Sequence, residues 1–386
     1  MRNLFEDLLP QKEAKIFLNP ALKSFPLKEF HAWWKTHEEF QNLFFFLSSG
    51  SESGIKIFGF TQEALLSSAQ AVNDHVKSTQ ADSWLLALPT FHMGGFSLFT
   101  RAHLSQSKVY ELNSNWDPLN YIKLAQEKSA TLSSLVPAQL YDLIKLKISA
   151  PESLRAVFLG GAALDSNLLK EARNLAWPIL PTYGMTECAS QIATLETSFA
   201  LSQDTHHPLK VLPIWQLKTD EQLKLEIHGS ALFSVSLSFN LKTNEFEAQK
   251  RESSQAYTSQ DSVELSSSHG NSYLKFLGRS DLTFKIGGEW VQLSRLQNIL
   301  DSLIISKGLA PDFCLIAHPN ERMGYEIAIV YEKSVRFEDL EQLENEFNEQ
   351  VMGFEKIRKK LLIDRIPRTS LSKISYTELR KALGIA

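Results

Sequence analysis

The sequence predicts an α/β protein in which a large N-terminal domain of doubly wound sheets is followed by a small α+β domain. Short apolar runs alternate with helical periods up to about residue 200. The runs then become shorter and more strand-like, which is typical of a small sheet or barrel-like β region. From Gly278 onward, helix and strand patterns return. We therefore expect domains at residues 1–278 and 279–386.

Composition and charge favour a protein whose partners are small molecules. The chain has 40 Lys and Arg against 44 Asp and Glu, a net charge of −4, which argues against a binder of nucleic acid or of membrane surfaces. Its two cysteines, Cys188 and Cys314, have no spacing typical of disulfide frameworks or zinc sites. The first residues lack a signal-peptide pattern, and no segment is apolar enough for a membrane span. A cytoplasmic protein is expected.

The first expected strand is the apolar run Leu43–Leu47, which enters the Ser/Gly loop 48–54. We expect a helix to follow, with Thr61 as its N-cap. The hydroxyl groups, the two glycines and Lys56 are suited to binding phosphate, although an ordinary turn would have the same composition. The loop does not match the G-x-x-x-x-G-K-[ST] pattern of P-loop ATPases.

Two later segments have the pattern of strands that end in loops. Residues 154–164 predict a strand, a turn at Gly160 and Gly161, and a helix, while residues 177–187 predict a strand that leads to an exposed loop. That loop, Tyr183–Glu187, offers an aromatic face for a purine, a glycine, a hydroxyl and a carboxylate suited to Mg²⁺, or it is a plain turn. Loops at such strand ends line ligand crevices.

The expected C-terminal domain contains a helix with leucines from Leu293 to Leu303, strands at 313–317 and 327–331, and a second helix from Phe337. A basic tail follows, between Lys356 and Arg368. Because acidic residues interrupt it, we favour a solvated face over a nucleic-acid patch, with attraction of the phosphate groups of a ligand as a third interpretation.

Four motifs in order carry a family resemblance: residues 48–56, 183–187, 278–281 and 367–375. The chain resembles the adenylate-forming superfamily of acyl-CoA synthetases, peptide-synthetase adenylation domains and luciferases. The resemblance implies the fold of this superfamily, shortened at the N-terminus. It also implies ATP and CoA as co-substrates and Mg²⁺ as the metal ion. It also implies a small domain that swings about a hinge near Asp281.

The resemblance assigns roles to individual residues by the motif each one matches. The catalytic positions it implies are Lys373, which bridges the carboxylate and the α-phosphate, Thr186 and Glu187, which hold phosphate and Mg²⁺, and His92, which lines the acyl pocket. The positions it implies for binding ATP and CoA are Ser48, Ser49, Gly50, Ser51 and Lys56 in the phosphate loop, Gly160, Gly161, Tyr183 and Gly184 at the adenine, Asp261 and Arg279 at the ribose, and Gly287 and Gly288 along the pantetheine path.

Within the superfamily, residues 89–97, 134–140 and 157–162 resemble o-succinylbenzoate CoA ligases of menaquinone biosynthesis. The short segment before the phosphate loop resembles them too. We therefore expect a 2-succinylbenzoate CoA ligase that binds no nucleic acid, with a homodimer as a family-level expectation. Two alternatives stay open: a ligase for another carboxylic acid, and a non-catalytic nucleotide-binding member, suggested by Glu52 and Ser53 in the phosphate loop.

Overall fold

The computed structural model describes residues 15–20, 22, 25–48, 56–112, 116–161, 166–220, 224–240, 243–279, 282–287, 289–369 and 373–385. In this part of the chain the strands form three sheets. The largest has eleven strands in the order β11-β12-β15-β16-β10-β9-β8-β7-β6-β4-β5. Its strands are β4 Ser83–Leu86, β5 Lys108–Glu111, β6 Leu132–Leu135, β7 Ala156–Leu159, β8 Ile179–Met185, β9 Ser190–Thr194, β10 Leu209–Val211, β11 Trp215–Thr219, β12 Lys224–Gly229, β15 Tyr257–Ser268 and β16 Asn271–Arg279.

This sheet is parallel from β5 to β8 and antiparallel from β8 to β11. Successive side chains of a strand point to opposite faces, so a strand covered on both sides is apolar throughout. In β7, Ala156 and Phe158 join one core cluster, while Val157 and Leu159 join the other. The parallel half is therefore buried on both faces, as the doubly wound pattern predicted.

Helices cover the two faces of the parallel half. Between it and the N-terminal sheet lie α2 Gln62–Val76 and α3 Met93–Ser105, and on the opposite face lie α4 Pro118–Glu127, α5 Pro137–Lys145 and α6 Ser166–Asn174. The predicted Thr61 cap is confirmed: its side chain accepts a hydrogen bond from Ala64 N at 3.1 Å. The predicted units at 154–164 and 177–187 are also confirmed as β7 with α6 and as β8.

The N-terminal sheet has the order β1-β2-β3-β13-β14 and carries helix α1 Leu27–Thr36 against its outer face. Its strands are β1 Lys15–Phe17, β2 Phe44–Leu47, β3 Lys56–Phe60, β13 Val235–Asn240 and β14 Glu245–Lys250. The expectation that a helix follows the Ser/Gly loop was wrong. The loop connects the antiparallel strands β2 and β3, and α2 begins only after β3.

The strands expected after residue 200 are present and are shared between two sheets. β9 to β12, β15 and β16 extend the large sheet in antiparallel fashion, whereas β13 and β14 complete the N-terminal one. Both sheets are therefore built from residues far apart in sequence. Among the described residues, no helix has the length and apolar character needed to cross a membrane.

A third sheet, β18-β17-β20-β19 with β21 beside β20, is formed by the last hundred residues. Its elements are β17 Thr283–Ile286, β18 Glu289–Gln292, α7 Leu293–Ser306, β19 Phe313–Asn320, β20 Gly324–Glu332, α8 Phe337–Glu349, β21 Ile357–Ile363 and α9 Tyr376–Ala382. Most of the expected basic tail is β21, in which Lys360 forms an ion pair with Glu344 at 2.6 Å. The boundary at residue 278 and the hinge stay predictions, and Asp281 lies outside the described residues.

Candidate active site

Tyr183 belongs to strand β8 rather than to an exposed loop, and it is only 9% exposed. Its hydroxyl donates a hydrogen bond to Asp261 Oδ2 at 2.6 Å, and its ring stacks on Phe276 with centroids 5.6 Å apart. Burial, followed by the charge of Asp261, raises the pKa of Tyr183 well above its usual value. The phenol therefore keeps its proton and remains a donor that orients the Asp261 carboxylate.

Asp261 lies on β15 directly opposite Arg279 of β16. Its backbone N–H donates to Ser259 Oγ at 3.1 Å, which fixes the chain just before the carboxylate. The two residues that the resemblance assigns to the ribose are therefore register partners in one hairpin. Gln260, where the family has glycine, lines the same cleft as Asp261.

The chain turns sharply after β8. Thr186–Cys188 form a single 3₁₀ turn, and the next two residues have positive φ angles, 48° at Ala189 and 106° at Ser190. Such conformations cost non-glycine residues about 1–3 kcal/mol each and persist only where neighbours hold them. Gly184 makes room for the turn, since a Cβ there would lie 1.9 Å from the Ser190 carbonyl oxygen. The motif glycine thus has a packing reason that does not depend on a ligand.

Glu187 is positioned by groups far away in sequence. Its carbonyl accepts a hydrogen bond from Phe233 N at 3.2 Å, and its carboxylate Oε1 lies 3.4 Å from the Tyr257 hydroxyl, which donates to it. Burial and then the charge of Glu187 raise the pKa of Tyr257, so this hydroxyl also stays protonated. Sequence reasoning missed both Phe233 and Tyr257. No local pattern marked either residue, because both contacts are made between segments far apart in sequence.

The donor chemistry at this turn suits Mg²⁺. Within the described residues, no group of three His, Cys, Asp or Glu side chains could hold a metal ion. Mg²⁺, however, usually takes one or two carboxylates together with substrate phosphates and water, rather than a complete protein cage. The Glu187 carboxylate and the Thr186 hydroxyl, both at the cleft, fit that kind of site.

Lys373 lies in a tight reversal of the chain. Its backbone N–H donates to Thr369 Oγ1 at 3.2 Å and its carbonyl accepts from Thr369 N at 2.7 Å, while Arg368 and Ile374 form an isolated bridge. The charge of Lys373 reaches His92, the residue before α3. Burial and then that charge lower the pKa of His92 to about 4, so the imidazole is neutral at pH 7.

One cleft of about 2670 Å³ collects most of the expected site residues from all three sheets. Those that line it are Ser48, Lys56, Gly161, Tyr183, Gly184, Thr186, Glu187, Asp261 and Lys373. Gly160, His92 and Gly287 are not part of its lining. Gly160 instead packs against Thr182, and Gly287 occupies the β17–β18 turn with a φ of 59°. Ser49, Gly50, Ser51 and Gly288 lie outside the described residues.

The arrangement defines an adenylate-forming enzyme fold, and the chain belongs to the AMP-binding enzyme family. The family model matches residues 13–214, which is more than half of the chain. The superfamily resemblance of the motifs is therefore confirmed.

Its relatives are similar over segments of different length. The 2-succinylbenzoate–CoA ligase of Bacillus subtilis (strain 168) is 33% identical over 125 residues, which cover 32% of this chain and 26% of the relative. The same enzyme of Listeria monocytogenes is 25% identical over 306 residues, or 78% of this chain and 62% of the relative. The matched segments thus span from about a quarter to under two thirds of these relatives.

Solved structures show the same fold. The o-succinylbenzoate CoA synthetase of Bacillus subtilis, in complex with its acyl-adenylate intermediate, superposes with a TM-score of 0.72 at 22% identity, covering 87% of this chain and 68% of that one. Its complex with ATP and magnesium ion gives a TM-score of 0.71 at 23% identity, covering 88% and 69%.

Proposed function

We propose that the protein is an ATP-dependent acid:CoA ligase, and that its acid is 2-succinylbenzoate. The observation that carries this proposal is that Lys56, Glu187, Asp261 and Lys373 line one cleft, although they come from four distant parts of the sequence. A phosphate-loop lysine, a carboxylate for Mg²⁺, a carboxylate for ribose and a lysine for the α-phosphate are the groups that adenylation requires. The identity of the acid is supported by the curated relatives.

In this proposal residues that line the cleft bind the nucleotide. Asp261, oriented by the Tyr183 hydroxyl, accepts hydrogen bonds from the ribose. Glu187, with Tyr257 beside it, and Thr186 would hold Mg²⁺. When bound, Mg²⁺ would neutralise negative charge on the phosphates. Lys56 adds a positive charge at the mouth of the phosphate loop.

The reaction proceeds in two substitutions. A carboxylate oxygen of the acid attacks the α-phosphorus of ATP, and the bond from that phosphorus to pyrophosphate breaks. Lys373 stabilises the charge that develops, acting as a point charge between the two reactants. The CoA thiol, losing its proton, then attacks the acyl carbon and AMP leaves. His92 is neutral and therefore contributes shape rather than charge.

Several finer expectations belong to the same proposal. The segment 279–386 would swing about a hinge near Asp281 between the two substitutions, so that Lys373 leaves and the turn at Gly287 and Gly288 approaches the pantetheine. Gly160 and Gly161 would border the adenine, and Arg279 would share the ribose with Asp261. We also propose a cytoplasmic homodimer.

The proposal is tested by incubating the purified protein with ATP, Mg²⁺, CoA and 2-succinylbenzoate, beside a panel of other carboxylic acids, with acyl-CoA products measured by mass spectrometry. We expect 2-succinylbenzoyl-CoA from the wild type and none from Lys373→Ala. A different acyl-CoA would preserve the chemistry and change the acid. No product with any acid would favour the non-catalytic alternative.

A further inference from the structure

The turn that carries Thr186 and Glu187 is strained, and something must hold it. Ala189 and Ser190 have successive positive φ angles, and neither is a glycine. Within the turn, the Ala189 N–H donates to Thr186 O at 3.1 Å. That single local bond fixes one end of the turn and leaves the Ala189 carbonyl to be satisfied from elsewhere.

Helix α2 supplies that contact. Ser68 is 2% exposed, and its hydroxyl donates to the Ala189 carbonyl oxygen at 2.8 Å across 121 residues of sequence. Ala189 itself is 1% exposed, so water has no access to replace this donor. A buried carbonyl that loses its donor bears the cost of its desolvation. That cost is comparable with the strain of a non-glycine residue held at positive φ.

Two more contacts hold the turn on its other side. Arg101 Nη2 of α3 donates to Ser190 Oγ at 3.3 Å, and Trp215 Nε1 donates to Gln191 O at 3.0 Å. The first acts on Ser190, the second of the two strained residues, and the other acts on Gln191, the residue after it. Ser68 is therefore the contact that acts on Ala189, the first of the two strained residues and the one two positions after Glu187.

We propose that Ser68 is a positioning residue, whose hydroxyl holds Ala189 in the left-handed conformation and thereby sets the direction in which Glu187 faces the cleft. The role in nucleotide binding rests on the proposed function, whereas the role in holding the turn does not. Ser68 touches no substrate and acts only through the turn. Its neighbour Ser67 provides a matched control, because the Ser67 hydroxyl forms its hydrogen bond with Ser230 instead.

The first test needs no nucleotide. Hydrogen exchange is measured by mass spectrometry on peptides that cover residues 186–191, in wild type, Ser68→Ala, Ser67→Ala, Ala189→Gly and the Ser68→Ala/Ala189→Gly double variant. We expect exchange at the turn to be about tenfold faster in Ser68→Ala, since a loss of about 1.4 kcal/mol is tenfold in an equilibrium. Ser67→Ala should match wild type.

The glycine variants separate positioning from general packing. Glycine adopts positive φ without the steric cost that Ala189 bears, so removing the Ser68 hydroxyl should matter less in the Ala189→Gly background. A loss of the same size in both backgrounds would overturn the proposal. So would an unchanged turn in Ser68→Ala, or faster exchange spread equally over α2 and the large sheet. If Ser68→Ala does not fold, the comparison of Ala189→Gly with the double variant still decides.

The second test connects the turn to the nucleotide site. ATP affinity is measured by calorimetry with Mg²⁺ and again with EDTA. We expect Ser68→Ala to lose about tenfold in affinity with Mg²⁺ and little with EDTA, because Glu187 would act through the metal ion. Equal losses in both conditions would overturn the link to Glu187. A wild-type protein that binds no ATP would contradict the proposed function. The hydrogen-exchange experiment would still test whether Ser68 holds the turn.

Discussion

Asp82, Thr131 and Arg155 each stand just before a parallel strand, β4, β6 and β7 in turn, whereas the expected nucleotide-binding residues stand at or after the opposite ends of β7 and β8. At the first end, one carboxylate gathers the polar groups. Arg155 donates to both oxygens of Asp82 at 2.8 Å, Thr131 Oγ1 donates at 2.8 Å, and the Thr79 N–H at 2.9 Å. The Asp82 side chain is 8% exposed, so the carboxylate at the centre of this network is shielded from solvent, while Arg155 is 38% exposed.

At the other end, the same sheet supplies two glycines after β7, the buried Tyr183 and the strained turn at Ala189. Polar side chains here line a large cleft instead of closing on one another. Gly160 and Gly184 are closely packed at this end, and the turn after β8 has two successive non-glycine residues with positive φ, Ala189 and Ser190. From this contrast we expect one end of the strands to serve stability and the other to serve binding. Substitutions at the two ends should therefore change different measurements.

The largest effect is expected in the cleft, from Lys373→Ala. Removing one preorganised positive group from the position where charge develops costs about 10²–10³-fold in rate. Adenylation should fall by that factor, while the unfolding temperature stays near that of the wild type, because Lys373 is partly exposed. Pyrophosphate release measures this step.

The control for Lys373 is Lys381→Ala, an exposed lysine of α9 on the same cleft. It should leave adenylation within about twofold, a change below 1 kcal/mol. CoA transfer from a supplied acyl-adenylate should survive in Lys373→Ala. Equal loss of both half-reactions in that variant would contradict the role proposed for Lys373.

The next effect is on stability, at the closed end of the strands. Asp82→Asn keeps the shape of the side chain but removes its charge, and leaves the donors of Arg155 poorly matched. We expect a loss of about 2 kcal/mol in the free energy of unfolding, less than for a fully buried pair because Arg155 is 38% exposed. Urea denaturation measures this. The exposed Asp74→Asn is the control, and a raised KM for ATP in Asp82→Asn would break the comparison between the two ends.

The stability of wild type and that of Asp82→Asn should respond differently to acid. Burial acts to raise the pKa of Asp82, but hydrogen bonds from Arg155, Thr79 and Thr131 outweigh it, so the pKa lies below the usual 3.8. The stability that the carboxylate contributes is therefore present above pH 3.8 and is lost as the pH falls through the lowered pKa. The difference in unfolding free energy between wild type and Asp82→Asn should shrink in acid. A difference that grows below pH 3.8 would refute this account.

A smaller effect is expected from Tyr183→Phe. The variant removes the hydroxyl that donates to Asp261 at 2.6 Å, a hydrogen bond to a charged group worth about 1.5–3 kcal/mol. If Asp261 binds the ribose, affinity for AMP should fall about tenfold, with the ring still in place. Calorimetry measures it, with Tyr325→Phe on the exposed side of β20 as control. Unchanged AMP affinity would mean that the hydrogen bond between Tyr183 and Asp261 does not contribute to nucleotide binding.

What the sequence predicted well is local. The units at β7 and β8 and the Thr61 cap depend on neighbouring residues, and each family motif is a short continuous segment of sequence. Strand β3 was missed because only six residues, 55–60, separate the Ser/Gly loop from the cap, and because its other partner, β13, lies about 180 residues later. Tyr257 and Phe233 at Glu187 were missed for the same reason. Contacts of this kind are made by the folded sheets and leave no local pattern.

The smallest effect concerns His92, beside the cleft. Burial and the charge of Lys373 lower its pKa from 6.5 to about 4, so the histidine is neutral wherever the enzyme would work. His92→Gln should therefore leave the shape of the pH–rate profile unchanged between pH 6 and 8. A histidine with a lowered pKa keeps its full contribution to stability above pH 6.5 and loses it as the pH falls toward 4. Urea titrations at pH 7, 5.5 and 4.5 should thus show that the free energy of unfolding falls less in acid for His92→Gln than for wild type. The exposed His31→Gln is the control for the loss of a histidine. A profile that loses a limb near pH 6.5 in His92→Gln would mean that His92 titrates during the reaction, and the neutral imidazole described here would be wrong.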